Sequence, residues 1–209
     1  MNNPATRIRS SVLLWGCVVA LLCIVATITA AQAEEKEDVG QIIATMKKAI
    51  LDKNDPMRNR MYFKLRIMGK PAVKPVIEVL ADPEPGVSEY AAFVLGWLAD
   101  PDAIEPLKNF LAKGNDNQKK AALQALGNMA WGTDEAIRKE VHARAVDEML
   151  KYLDDASPVV RREAAYGLGL AGSAKAVPVL QKYVNDSDEL MRFFAKEAID
   201  RIENTPSGF

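Results

Sequence analysis

Gly167-Leu168-Gly169-Leu170-Ala171-Gly172 is the stretch on which the fold turns. It spells G-x-G-x-x-G, the pattern of a dinucleotide-binding turn, and Asp186 and Asp188 follow at about the spacing of a ribose-binding acid. That reading needs a strand before the glycines and a helix opening after them, so that free amides at the helix start face a pyrophosphate. The surrounding residues supply neither. Val160, Ala164, Leu168 and Ala171 recur at offsets of four, four and three, one face of an α-helix that begins near Ser157-Pro158. The glycines therefore lie in the last turn of a helix, where carbonyls are left over and the dipole end is negative.

The same surroundings return along the chain. With Leu168 as origin, Leu65, Leu95, Leu126 and Ile199 occupy equivalent positions, spaced by 30, 31, 42 and 31 residues. Four residues before each anchor stand Met61, Ala91, Ala122, Ala164 and Ala195; seven before stand Arg58, Ser88, Lys119, Arg161 and Arg192. A period near 31 with one insertion marks a stack of repeated units, each too small to bury its apolar face alone. Every segment that ends at an anchor opens with a capping or breaking pair: Asp55-Pro56, Pro85-Gly86, Asn115-Asp116, Ser157-Pro158 and Ser187-Asp188. A second helical pattern precedes each, as in Val73, Val76, Ile77 and Leu80, or Ile104, Leu107, Phe110 and Leu111. Sustained apolar/polar alternation of the kind a half-buried strand needs is not found.

Sister units show what the glycines do. Val94-Leu95-Gly96-Trp97-Leu98-Ala99 and Ala125-Leu126-Gly127-Asn128-Met129-Ala130 keep only the middle glycine. Gly96, Gly127 and Gly169 are expected to let a neighbouring helix approach, at roughly 1 kcal/mol of helix propensity each. Gly69 and Gly172 stand where a helix C-cap belongs.

The first 33 residues differ from the rest. Arg7 and Arg9 precede an uncharged run from Ser10 to Ala33 that closes on Ala31-Gln32-Ala33, ahead of the acidic Glu34-Glu35-Lys36-Glu37-Asp38. A basic start, an apolar middle and small residues at the end make a secretory signal cleaved after Ala33, with an exported, periplasmic or secreted product. The alternatives are an uncleaved anchor, since Ser10 to Ala31 just reaches the length of a bilayer span, and lipoprotein processing at Cys17, which the bulky Trp15 disfavours. Cleavage removes Cys17 and Cys23, the two cysteines of the chain, and with them any disulfide, thiolate ligand or Cys nucleophile. A net charge of -1 over 209 residues gives no electrostatic reason to expect nucleic acid.

Val160-Arg161-Arg162-Glu163-Ala164-Ala165-Tyr166-Gly167-Leu168-Gly169, followed by Ala174-Lys175-Ala176-Val177-Pro178-Val179-Leu180, resembles the HEAT repeat of the phycobilisome-lyase-like subtype. The resemblance covers roughly Val39 to Ile202. It implies an all-α solenoid, a superhelix of about five helix pairs, with the second helices lining the concave side. The units expected are Val39 to Gly69, Lys70 to Asp100, Pro101 to Gly132, Thr133 to Gly172 and Ser173 to Glu203, so residues 39–203 form one array between the linker 34–38 and a tail, 204–209. The resemblance also implies Asp/Arg pairing, at Asp155 with Arg161 and Asp186 with Arg192, which Ser88 interrupts in unit two.

The insertion falls in unit four, whose first helix is expected to extend from about Asp134 to Leu153 with Ile137, Val141, Ala145, Met149 and Leu153 on one stripe. It is either a longer core helix or a ledge for a partner. His142, the one histidine of the chain, lies on it and reads as a surface residue, because a metal site needs three or four convergent donors.

Positions two before and two after each anchor point away from the face that carries the anchors. They read Phe63 and Ile67, Phe93 and Trp97, Gln124 and Asn128, Tyr166 and Leu170, Glu197 and Arg201, with Tyr90 and Trp131 close by. Phe63, Ile67, Tyr90, Phe93, Trp97, Trp131, Tyr166 and Leu170 are the candidate partner-binding residues. Either they form an exposed aromatic strip that binds a protein or peptide, or the rings fill gaps between helices. No catalytic, cofactor-binding or metal-ligating set is recognisable: one histidine supplies neither a paired His-Glu iron site nor a triad, and the carboxylates read as solvated helix faces and caps. The expectation is a non-enzymatic scaffold or adaptor of the cell envelope without a cofactor. The alternative is a lyase-like or chaperone-like protein acting on a cofactor or a client. A membrane is a partner only if the N-terminal segment is retained.

Overall fold

The computed structural model describes residues 38–84, 86–131 and 135–204, without the side chains of 131, 135–138 and 140. The expected signal 1–33, residues 34–37 of the linker and the tail beyond Asn204 lie outside the described residues. Among the described residues the structure is helical, with no strand: α1 (Val39–Leu51), α2 (Asp55–Met68), α3 (Lys70–Val79), α4 (Val87–Leu98), α5 (Ile104–Lys113), α6 (Asp116–Trp131), α7 (Glu135–Lys151), α8 (Pro158–Ala171), α9 (Val177–Leu180) and α10 (Glu189–Asn204). Short 3-10 turns lead into α5 and flank α9. Each odd helix pairs with the even one after it, which gives the five units.

Local chemistry sets the helix boundaries. Asn54 caps α2 by accepting the Met57 amide at 3.1 Å, and Pro56 occupies the first turn, where its missing N–H is not needed. At α6 the cap is reciprocal: Asn115 Oδ1 accepts the Gln118 amide and Gln118 Oε1 accepts the Asn115 amide, both at 3.0 Å. Gly172 ends α8 at φ 68, a left-handed conformation in which a Cβ is penalised. The equivalent position at the end of α4 holds Ala99, which adopts φ 52 without the glycine.

The even helices form one layer, each packed on the next. From α4 to α10 their backbones come close because units two, three and four carry a middle glycine, Gly96, Gly127 and Gly169, with no Cβ. A Cβ on Gly96 would stand 2.7 Å from Ala125 Cα, and one on Gly169 would stand 2.9 Å from Ala198 Cα. The first glycine of the GLGLAG stretch has its own role, since a Cβ on Gly167 would meet Met149 Sδ at 2.7 Å. The stretch is thus a spacer and a stop, inside helix α8 and at its end. One continuous apolar core runs from Ile42 through Leu65, Leu95, Leu126 and Leu168 to Ile202, so stability comes from stacking.

The long helix of unit four is a core helix. Val141, Ala145, Met149 and Leu153 are all fully buried, which removes the ledge reading for that stripe; the Ile137 side chain lies outside the described residues. His142 is not a free surface residue. It is half-buried, and its Nε2–H donates to the Ala171 carbonyl at 2.9 Å, one of the carbonyls left over at the end of α8. Because a carbonyl only accepts, the contact fixes the tautomer with the proton on Nε2.

The expected Asp/Arg pairing is also corrected. Arg161 Nη1 donates to the backbone carbonyls of Asp155 and Ala156, and Arg192 Nη1 to those of Asp186 and Ser187. Those arginines cap the loops of their own units. The Asp155 carboxylate is held from the preceding unit instead, by Lys119 Nζ at 2.8 Å, together with the Ser157 amide at 2.9 Å. Ser88 is fully buried and its Oγ accepts from Gln118 Nε2 at 3.4 Å. On α10 Lys196, Glu197 and Asp200 are exposed, and the apolar Leu190 and Phe193 are exposed beside them.

Candidate functional site

The face opposite the anchors is built by the even helices. At its N-terminal end α2 and α4 bring five aromatic rings together. Tyr62 lies 5.0 Å from Phe63 and 5.3 Å from Phe93 between centroids. Phe93 stacks on Tyr90 at 5.3 Å and meets Trp97 edge-on at 6.4 Å. Two arginines of α2 cover the outer rings: Arg58 sits 5.1 Å above Tyr90, and Arg66 sits 5.3 Å above Trp97 while donating to the Tyr62 hydroxyl at 3.3 Å.

Exposure divides the eight sequence-derived residues. Phe63, Ile67 and Trp97 are 55%, 86% and 41% exposed and form a surface patch. Tyr90, Phe93, Tyr166 and Leu170 are half-buried; Tyr90 and Phe93 pack against the core, as ring-filled gaps between helices would. The Trp131 side chain lies outside the described residues. The strip is not continuous, because α6 interposes Gln124 and Asn128 between the first cluster and a second one in which Phe194 contacts Tyr166 and Phe193.

Several residues of this face were not singled out from the sequence. Phe193 and Phe194 stand six and five residues before Ile199. Helical spacing places them on the same side as the position two before the anchor, four and three residues along. Tyr62 is buried and supports the patch from below. Glu163, read as a solvated carboxylate, is half-buried, and its Oε1 has no hydrogen-bond partner among the described residues. Burial pushes its pKa up, against a hydrogen bond from Gln124 and the charge of Lys120. Burial likewise pushes the Tyr90 phenol up, against Arg58.

Among the described residues no group of three or more His, Cys, Asp and Glu is placed to hold a metal ion. No helix of the described residues is long and apolar enough to cross a membrane.

Comparison with known proteins gives a consistent fold. The HEAT-repeat pattern matches residues 73–139 and 146–207. The chain is 26% identical over 178 residues to the deoxyhypusine hydroxylase of Schizosaccharomyces pombe, covering 84% of this chain and 43% of that protein. It therefore spans less than half the length of that relative. Among solved structures, the complex of CpcE and CpcF of phycocyanin lyase from Nostoc sp. PCC7120 superposes with a TM-score of 0.64 at 22% identity, over 77% of this chain and 99% of that one. A designed armadillo repeat protein in complex with peptide (KR)4 superposes with a TM-score of 0.52 at 22% identity, over 78% of this chain and 82% of that one.

These relatives overturn the expectation that the chain is not an enzyme. The hydroxylase, related in sequence, and the lyase, alike in fold, are both catalytic proteins. A single histidine excludes only chemistries that need several histidines, and other chemistries on this fold do not depend on it. With its five stacked helix pairs, the glycine contacts between their second helices and a repeat pattern matching most of its length, the chain belongs to the HEAT-repeat family.

Proposed function

We propose that the solenoid binds a client protein on the face of α2 and α4 and handles it in a lyase-like or chaperone-like manner, acting on the client or on a cofactor the client carries. One observation carries the reading: Phe63, Ile67 and Trp97 stand in solvent on a platform of buried and half-buried rings. Large rigid side chains held ready at a surface lose little freedom on binding and bury much area. The hydroxylase and the lyase complex support the handling role over a passive scaffold. The peptide-bound armadillo protein supports a partner seated on such a solenoid. Export of the chain, proposed from Arg7, Arg9 and the apolar run to Ala33, places the client in the envelope and is checked by N-terminal sequencing of the isolated protein.

The test pairs Trp97→Ala with Ile67→Ser in the native host. Both variants are expected to keep the helical circular dichroism of the parent and to lose the bound client, with any client-borne pigment absorbance lost alongside. Folded variants that retain the client at parental stoichiometry sink the reading.

A further inference from the structure

We propose that the patch formed by α2 and the C-terminal half of α4 docks an acidic peptide segment of the client that carries one bulky apolar side chain. This rests on the client-binding reading and adds the chemistry of the segment bound.

Charge along the array is partitioned. Residues 39–80 contain nine basic and three acidic residues, net +6, whereas residues 81–209 contain 15 basic and 21 acidic, net -6. The surplus concentrates on α2, where Arg58, Arg60, Lys64 and Arg66 face a single acid, Asp55. Arg60, Phe63 and Ile67 are spaced three and four residues apart, so an exposed cation and two exposed apolar side chains share one stripe of the helix. Arg66 stands on the other flank, over the Trp97 ring. Ile67, 86% exposed, is thus an aliphatic side chain in water between cations, and burying it against one apolar side chain recovers area while acids on either side meet Arg60 and Arg66.

An acidic segment fits better than the other polyanions. A nucleic acid gives Phe63 and Ile67 no apolar counterpart beyond a base face, and the net charge of -6 over residues 81–209, most of which lie beyond the patch, repels a long phosphate chain. An anionic bilayer meets the same repulsion. A short peptide confined to α2 and α4 avoids it.

The experiment is fluorescence polarisation of a labelled peptide of about twelve residues, Glu-rich with a central Leu, against the purified chain. Two control peptides carry Gln for every Glu, or Ser for the Leu. Binding is expected to weaken about tenfold in each control and about tenfold in Arg60→Glu and in Ile67→Ser, both exposed positions that leave the fold intact. It is also expected to weaken on raising NaCl from about 0.05 to about 0.5 M. Equal binding of the Gln peptide, or no effect of Arg60→Glu, overturns the acidic assignment. So does equally tight binding of a single-stranded oligonucleotide or of phosphatidylserine vesicles, or a self-association of the chain that Arg60→Glu abolishes. If a neutral Leu peptide binds as well as the acidic one and still depends on Trp97, the charge assignment falls while client binding stands. If no peptide depends on Trp97 or Ile67, both fall.

Discussion

Gly127 and Gly167 meet backbone to backbone: a Cβ on Gly127 would lie 3.0 Å from both the Cα and the carbonyl oxygen of Gly167. The pair joins units three and four across the insertion, so the register of the stack survives 11 extra residues between its anchors. The long α7 is accommodated on the odd-helix side, where Lys108 of α5 approaches Glu148 at 3.9 Å and Arg144 reaches Glu105 at 3.1 Å.

Alanine at the packed glycines is expected to destabilise despite its better helix propensity. At Gly96 and Gly127 the new methyl meets backbone atoms that cannot rotate away, a cost of about 1–3 kcal/mol that exceeds the roughly 1 kcal/mol gained in propensity. Ala99→Gly is expected to do the opposite, stabilising by up to about 1 kcal/mol through relief of the left-handed alanine. Urea midpoints decide both, and a Gly127→Ala protein as stable as its parent removes the close-packing argument.

His142→Ala should loosen the join between α7 and α8. Loss of the Ala171 contact leaves a carbonyl of the α8 terminus unpaired, at about 1 kcal/mol. Hydrogen exchange is expected to accelerate at the last turn of α8 and in α7, with little change in α1 to α4. Uniform acceleration across all five units would show that His142 supports the array as a whole.

Glu163 and Asp155 are expected to shape the pH profile in opposite senses. Burial raises the Glu163 pKa, so its contribution to stability is complete below the ordinary value of 4.5 and is lost as pH rises through the raised value. Glu163→Gln should therefore stabilise the protein at neutral pH and lose that advantage in acid. Burial also pushes Asp155 up, but the Lys119 hydrogen bond and the Ser157 amide hold it below 3.8. Its contribution is present above 3.8 and disappears as pH falls through the lowered value. Asp155→Asn should cost stability at neutral pH and converge on the parent in acid. Denaturation midpoints at several pH values test both, and pH-independent gaps would refute charge as the cause.

The sequence by itself determined the helix pairs, their register and the meaning of the glycines. Periodicity and caps are local: Asn115 with Gln118, or Val160 with Ala164 and Leu168, lie within a few residues of each other, and their spacing is visible in the chain. Tertiary structure alone decided which aromatic residues face solvent. Phe63 and Tyr166 hold the same position in their units, yet among the described residues α2 has a second helix beside it on one side only, whereas α8 is flanked by α6 and α10, and Phe194 covers Tyr166. The partners of His142, Lys119 and Glu163 were hidden for the same reason, since each lies 29 to 39 residues from the group it meets, and no local pattern encodes a contact made by stacking.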